Sequence, residues 1–254
     1  MASPRATRAG RWRWWLATAA PVTPLLRYAV LVHAVPPEQP WRTGCPHCAA
    51  PLTRPPARLP AGRCAGCRAR IGAPAYLLEF ATGLATALAV IAVAGGGWPA
   101  TAPVALAGWA LVAVPLSFVD LAVHRLPDRL TLPAAGWVVG WLGVAALVGD
   151  AGPAWLRSVL AALACGAGFA LVTLVFGSRG FGLGDAKLAL GAGALLGWVG
   201  WTAVLAGLLL AFAGSGLVAT GLLLARRVGR RDTLPFGPFL AAGTLIALAW
   251  AGLS

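Results

Sequence analysis

The sequence predicts an all-α, polytopic integral membrane protein: a helical bundle of seven or eight transmembrane helices with one small zinc-knuckle loop. Three observations lead there. Of 254 residues, 59% are hydrophobic and only 11% charged, with a mean hydropathy of +0.79, whereas a soluble domain carries roughly 25% charged residues. The apolar residues come in blocks of about twenty, the length that crosses a hydrocarbon core of roughly 30 Å, and not in the short alternating segments of a β-barrel. Finally, the main polar interruption, residues 36–74, holds four of the five cysteines.

Taken in order, residues 1–13 are polar and basic. Residues 14–35 are moderately apolar but interrupted by Pro21, Pro24 and Arg27. They read equally as a first span and as an interfacial or re-entrant segment, because proline breaks helices and a charge resists the hydrocarbon. No small-residue cleavage site of a signal peptide follows them. Residues 36–74 are rich in proline and arginine. Spans are then expected at 75–96, 100–122, 132–149, 155–177, 187–199, 201–225 and 236–253. The span at 187–199 is short and needs shelter from its neighbours. The chain thus divides into an N-terminal basic segment with a possible first helix (1–35), a four-cysteine loop (36–74) and a membrane domain (75–254).

The net charge is +13. On a soluble protein that would point to nucleic acid; here it orients the spans, since Lys and Arg gather in short cytoplasmic loops. Arg42, Arg54, Arg58, Arg63, Arg68 and Arg70 lie in the cysteine loop. Arg125 and Arg129, then Arg179 and Lys187, then Arg226, Arg227, Arg230 and Arg231 mark the later loops of the same face. Only Arg157 lies near the other face. This places the cysteine loop in the cytoplasm, with no nucleic-acid partner and the lipid bilayer as surroundings. The arginine cluster after residue 225 reads as a topology anchor that also attracts anionic lipid.

Cys45-Pro46-His47-Cys48 and Cys64-Ala65-Gly66-Cys67 are two CxxC pairs with fifteen residues between them. Each pair can turn two thiolates onto one metal, and two such knuckles complete a tetrahedron. A reducing cytoplasm disfavours two disulfides. The expected cofactor is a structural Zn2+, because a site of four cysteines leaves no open position for catalysis; a redox pair or an empty site is the bland alternative. Cys165, inside an apolar block, reads as a packing residue.

The chain has only seven acidic residues. Asp120 ends an apolar span, where a carboxylate is functional by default, the bland alternative being a helix-end residue that reaches the interface. Asp185 opens a span within Gly182-Leu183-Gly184-Asp185-Ala186-Lys187, where glycines permit close backbone approach; taken alone it also reads as an N-cap. Both lie at one face. Two carboxylates that share a site can hold one proton between them, one acting as base on water and the other as acid on the leaving group. Asp128, after Pro127, reads as a helix cap. Glu79, one turn into a span, reads as a substrate-holding group or as the partner of an arginine such as Arg70. Two rivals use fewer of these features. A transporter or proton-coupled protein would employ the acids as a relay, and a non-enzymatic assembly subunit would need only the cysteine loop.

Together these residues resemble the bacterial prepilin peptidases, the type IV leader peptidases of the GxGD class of membrane aspartyl proteases. The resemblance runs from about residue 41 to the end. It includes the paired CxxC loop, Pro74 to Glu79, Asp120 with Leu126-Pro127-Asp128-Arg129-Leu130-Thr131-Leu132-Pro133, Gly182 to Lys187, and Leu234-Pro235-Phe236-Gly237-Pro238-Phe239-Leu240. It implies Asp120 and Asp185 as the catalytic pair, a non-catalytic Asp128, and a Lys187 that biases Asp185 toward its charged form. It also implies cleavage of the basic leader of pilin and pseudopilin precursors at the cytoplasmic face of the bacterial inner membrane. Many members also methylate the new N-terminus with S-adenosylmethionine. Where the family has a Gly-Ser-Phe-Leu-Asn-like stretch, this sequence runs through Arg27-Tyr28-Ala29-Val30-Leu31-Val32-His33, so the resemblance carries the peptidase and leaves the methyltransferase open.

Overall fold

The computed structural model describes residues 22–36, 38–52, 58–95, 98–177, 182–229 and 232–254. Arg54, Arg179, Arg230 and Arg231 of the charge pattern, and residues 14–21 of the possible first span, lie outside them. The described residues form eight helices and no strands: α1 (Val22–His33), then α2 (Leu77–Ala94), α3 (Ala102–Val123), α4 (Asp128–Gly149), α5 (Gly152–Phe176), α6 (Leu183–Val199), α7 (Trp201–Leu224) and α8 (Gly237–Ala251). Five of these, α2, α3, α4, α5 and α7, are long and apolar enough to cross a membrane.

The helices begin where local chemistry allows. Proline occupies the first turn of α3, α5 and α8, where its missing N–H has no intrahelical partner to lose. His124 and Asp150 end α3 and α4 in the left-handed conformation. Three starts precede the expected ones, that of α5 at Gly152 among them. α4 begins at Asp128 and α6 at Leu183, because their polar first turns continue the helix beyond the apolar block that the sequence reveals.

The short α6 stands at the centre and packs against α3, α4, α5, α7 and α8. Its Ala- and Gly-rich sequence is buried almost all round, from Leu188 to Trp198 with few gaps. Small side chains permit this, since membrane helices associate by close backbone approach. The shelter expected for this span is therefore supplied by five neighbours. At its far end Arg157 donates from Nε to the Gly197 carbonyl (2.7 Å) and from Nη2 to that of Trp198 (2.7 Å), a side-chain cap on the last turn.

α1 faces two ways. Leu26, Val30 and Ala34 join the core of the bundle. Leu31 and Tyr28 instead join a second small core with Cys45, Leu52, Cys64 and Ile71.

Candidate functional site

At one end of the bundle the chain brings together the end of α3, the start of α4, the first turn of α6 and the first turn of α8. Asp120 and Asp185 are both buried there, 5% and 7% exposed. The Oδ2 of Asp120 accepts the backbone N–H of Gly237 at 3.0 Å. Gly237 opens α8, so the positive end of that helix meets the carboxylate. Asp185 is the third residue of α6, and its Oδ2 accepts the N–H of Gly182 at 3.0 Å. This acid therefore holds its own helix start, the return half of a capping box. Its Oδ1 is buried with no partner among the described residues. Such an orphan oxygen is costly and calls for a functional explanation. The Asp120 carboxylate is close enough to act on Asp185 electrostatically.

Leu126 explains the glycines between them. A Cβ on Gly184 would lie 2.6 Å from the Cβ of Leu126, and one on Gly237 would lie 2.9 Å from Oδ2 of Asp120 and 3.5 Å from Leu126 Cδ1. Leu126 is thus wedged against the two glycines that flank the carboxylates. Neither Leu126 nor Gly237 stands out as a site residue in the sequence. Gly237 carries the faint signal of a Gly-Pro helix start, and Leu126 is marked only by its place in the block from Leu126 to Pro133.

Three expected partnerships come out differently. Lys187 Nζ pairs with Asp128 Oδ1 at 2.5 Å, so its ammonium serves the start of α4 and not Asp185. Asp128 is the first residue of α4 after an extended Pro127, and no side-chain cap bond forms there; its carboxylate takes the ion pair instead. Glu79 does pair with an arginine, but with Arg27 in place of Arg70. The Arg27 Nη2 lies 2.8 Å from Oε2 and 3.0 Å from Oε1, with Nε 3.1 Å from Oε1. The same guanidinium donates to the carbonyls of Ala73 (2.9 Å) and Pro74 (3.4 Å). Arg27 is fully buried. Its signal in the sequence is a charge inside an apolar stretch, which is functional by default.

The four cysteines of the loop gather as the spacing predicts. Their sulfurs all lie within 4.8 Å of one another. Cys45 and Cys67 are 3.8 Å apart, and Cys48 and Cys64 are 3.6 Å apart. Sulfurs around a tetrahedral zinc with Zn–S bonds near 2.3 Å sit about 3.8 Å apart, so the cluster fits a metal of that kind. The two knuckles are one turn made twice. Cys45 N–H donates to Ala50 O and Cys64 N–H to Ala69 O; Ala49 and Arg68 N–H return to the carbonyls of Cys45 and Cys64. Ala49 and Arg68 both take positive φ, and Gly44–Pro51 and Arg63–Arg70 form matching bridges. The N–H groups of His47 and Gly66 point at Cys45 Sγ and Cys64 Sγ. Backbone N–H groups of Cys67 and Gly66 bring the Cys64 thiol down to about 6, the direction that readies a thiolate for metal, while, against the backbone N–H of Ala69, burial and the neighbouring thiols push the Cys67 thiol up to about 11. Cys165 lies buried in α5, as a packing residue should.

Residues 104–224, which hold both aspartates, match the model of the type IV leader peptidase family. The chain is 37% identical to the prepilin leader peptidase/N-methyltransferase of Aeromonas hydrophila, with 82% of this chain and 71% of that protein aligned. This chain belongs to the type IV leader peptidase family. Proteins of the same name from Burkholderia pseudomallei (strain K96243) and Pseudomonas aeruginosa are 36% and 33% identical, over 80% and 82% of this chain and 65% and 71% of theirs. No solved structure matches the chain. Membership in this family makes the protein a peptidase and sets aside the transporter and assembly-subunit readings.

Proposed function

We propose that the protein is a membrane aspartic endopeptidase that removes the leader from type IV prepilin-like precursors, working at the cytoplasmic face of the bacterial inner membrane. The observation that carries this is the pair Asp120 and Asp185, buried at one end of the bundle, each with one oxygen tied to a backbone N–H. The tied oxygens fix both carboxylates, and the remaining oxygens face the reaction. One proton is shared. One carboxylate takes a proton from water as the water attacks the scissile carbonyl, and the other gives its proton to the departing amine. The site lies at the end of the bundle that bears the cysteine loop, which supports a cytoplasmic position by the distribution of positive charge.

Zinc is the ion we assign to Cys45, Cys48, Cys64 and Cys67. Its chemistry there is structural, since four thiolates close the coordination shell. The relatives' names include N-methyltransferase, an activity that draws on S-adenosylmethionine. The segment at 27–33 departs from the family's pattern, and our proposal stops at the peptidase.

The test is cleavage of a prepilin in membranes carrying the wild type, Asp120→Asn or Asp185→Asn. Each substitution removes a proton carrier and should lower the rate by about 10²–10⁴-fold at normal expression. Cleavage that survives in either variant removes that residue from the mechanism. A wild type that cleaves no prepilin refutes the proposal.

A further inference from the structure

Arg27 is an unusual group for its place. It is fully buried on a short apolar helix, and its guanidinium joins three pieces of chain. It holds Glu79 at the head of α2 by two nitrogens, and it holds the carbonyls of Ala73 and Pro74 at the end of the cysteine module. An arginine fork matches this set of acceptors in a way a lysine cannot. Around it α1 packs one face into the bundle and another into the module. The guanidinium therefore sits at the joint between the two cores.

The chain leaving α1 runs from this joint to the candidate active site. Arg42 N–H donates to Val32 O and its Nη2 to Ala34 O, which folds the exit back on the helix. Trp41 packs edge-on against His33, with centroids 4.6 Å apart. The Arg125 guanidinium lies over the Trp41 ring, 4.9 Å from its centroid, and donates to Pro36 O at 3.4 Å. Arg125 precedes Leu126, the residue wedged against Gly184 and Gly237 beside the two aspartates.

We propose that Arg27 is a positioning residue. By clasping Glu79 and the end of the cysteine module it seats that module on the bundle, and the seated module holds Trp41 on Arg125 and so fixes the loop between Asp120 and Asp128 for substrate binding. The role in binding rests on the peptidase reading above; the seating does not. Both carboxylates keep their own anchors, Gly237 and Gly182, when the clasp is lost. The four sulfurs also keep their knuckles. What changes is the order of the loop that the substrate meets.

The experiment uses the full-length, metal-loaded protein in lipid nanodiscs, as wild type, Arg27→Met, Arg27→Lys and Glu79→Gln. Hydrogen exchange and metal content are measured beside steady-state cleavage of a prepilin. In Arg27→Met we expect peptides bearing Trp41, Ala73 and the Asp120–Asp128 loop to exchange at least tenfold faster, with α6 still protected and metal content unchanged. KM should rise at least fivefold with kcat within twofold. A merely structural residue would do the reverse, lowering apparent kcat through lost enzyme with KM unchanged. Arg27→Lys should not restore the wild-type exchange, because it gives up the fork. Glu79→Gln should show the same pattern as Arg27→Met in weaker form, and it serves if Arg27→Met fails to fold. Unchanged exchange at Trp41 and the Asp120–Asp128 loop, an unchanged KM, or full rescue by lysine would each overturn the assignment. A wild type that does not cleave would sink the peptidase reading while the exchange data still judged the clasp.

Discussion

Gly184 shows how little room the candidate active site leaves. Any side chain there must displace Leu126, whose Cβ would be only 2.6 Å from the new one. Gly184→Ala should therefore destabilise the protein by about 1–3 kcal/mol, the usual result of overpacking, and should cut prepilin cleavage at least tenfold by moving Asp185. Leu126→Gly removes the opposing Cβ, and the double variant should recover part of that loss in both thermal stability and rate. Independent, additive losses would mean that the two residues do not share the space. Both aspartates could be read from the sequence because ionisable residues in apolar segments are few and each one is conspicuous. The anchor of Asp185, Gly182, lies within its own motif, but that of Asp120 was not visible. The donor to Asp120 comes from Gly237, 117 residues away, and the partner of Glu79 from Arg27, 52 residues away. No local pattern reports pairings made across packed helices.

Among the elements, α6 depends on its neighbours more than any other. A Cβ on Gly193 would stand 2.7 Å from Ala161 O, and one on Gly197 would stand 2.5 Å from Ala161 Cβ, while Gly216 on α7 has open space around it. The same substitution should thus act with opposite sign on two helices. Gly193→Ala and Gly197→Ala should each lower stability by about 1–3 kcal/mol through overpacking. Gly216→Ala should raise it by about 0.5–1 kcal/mol, the ordinary gain of alanine over glycine within a helix. Thermal unfolding in one detergent decides between them, and equal shifts for all three would refute the packing argument. The long helices were legible because hydrophobic blocks report their own length. The starts of α4 and α6 were not, since their polar first turns, Asp128-Arg129 and Gly184-Asp185, look like loop until Lys187 is seen to pair with Asp128 across them.

For the whole molecule, the two cores set the order of events when metal is removed. None of the four clustered cysteines lies on α2 to α8, so a chelator should loosen the cysteine module and leave the bundle folded. Cobalt(II) should load at one equivalent per chain with the spectrum of a tetrahedral four-sulfur site. Cys45→Ser should weaken that loading while changing helix content by less than one turn, read by circular dichroism. A collapse of helicity on metal removal would contradict the separation of the cores. The module was the most legible part of the chain, because its four cysteines are local and their spacing is a direct statement of geometry.

The doubling of the knuckle carries one more consequence. A single hairpin of this type offers two sulfurs, half of what a tetrahedral ion needs, so alone it must borrow a second copy from another molecule. With both hairpins in one chain, the partner is always present at high effective concentration. An ion bound there would be captured by a single molecule, and its retention should not fall as the protein is diluted.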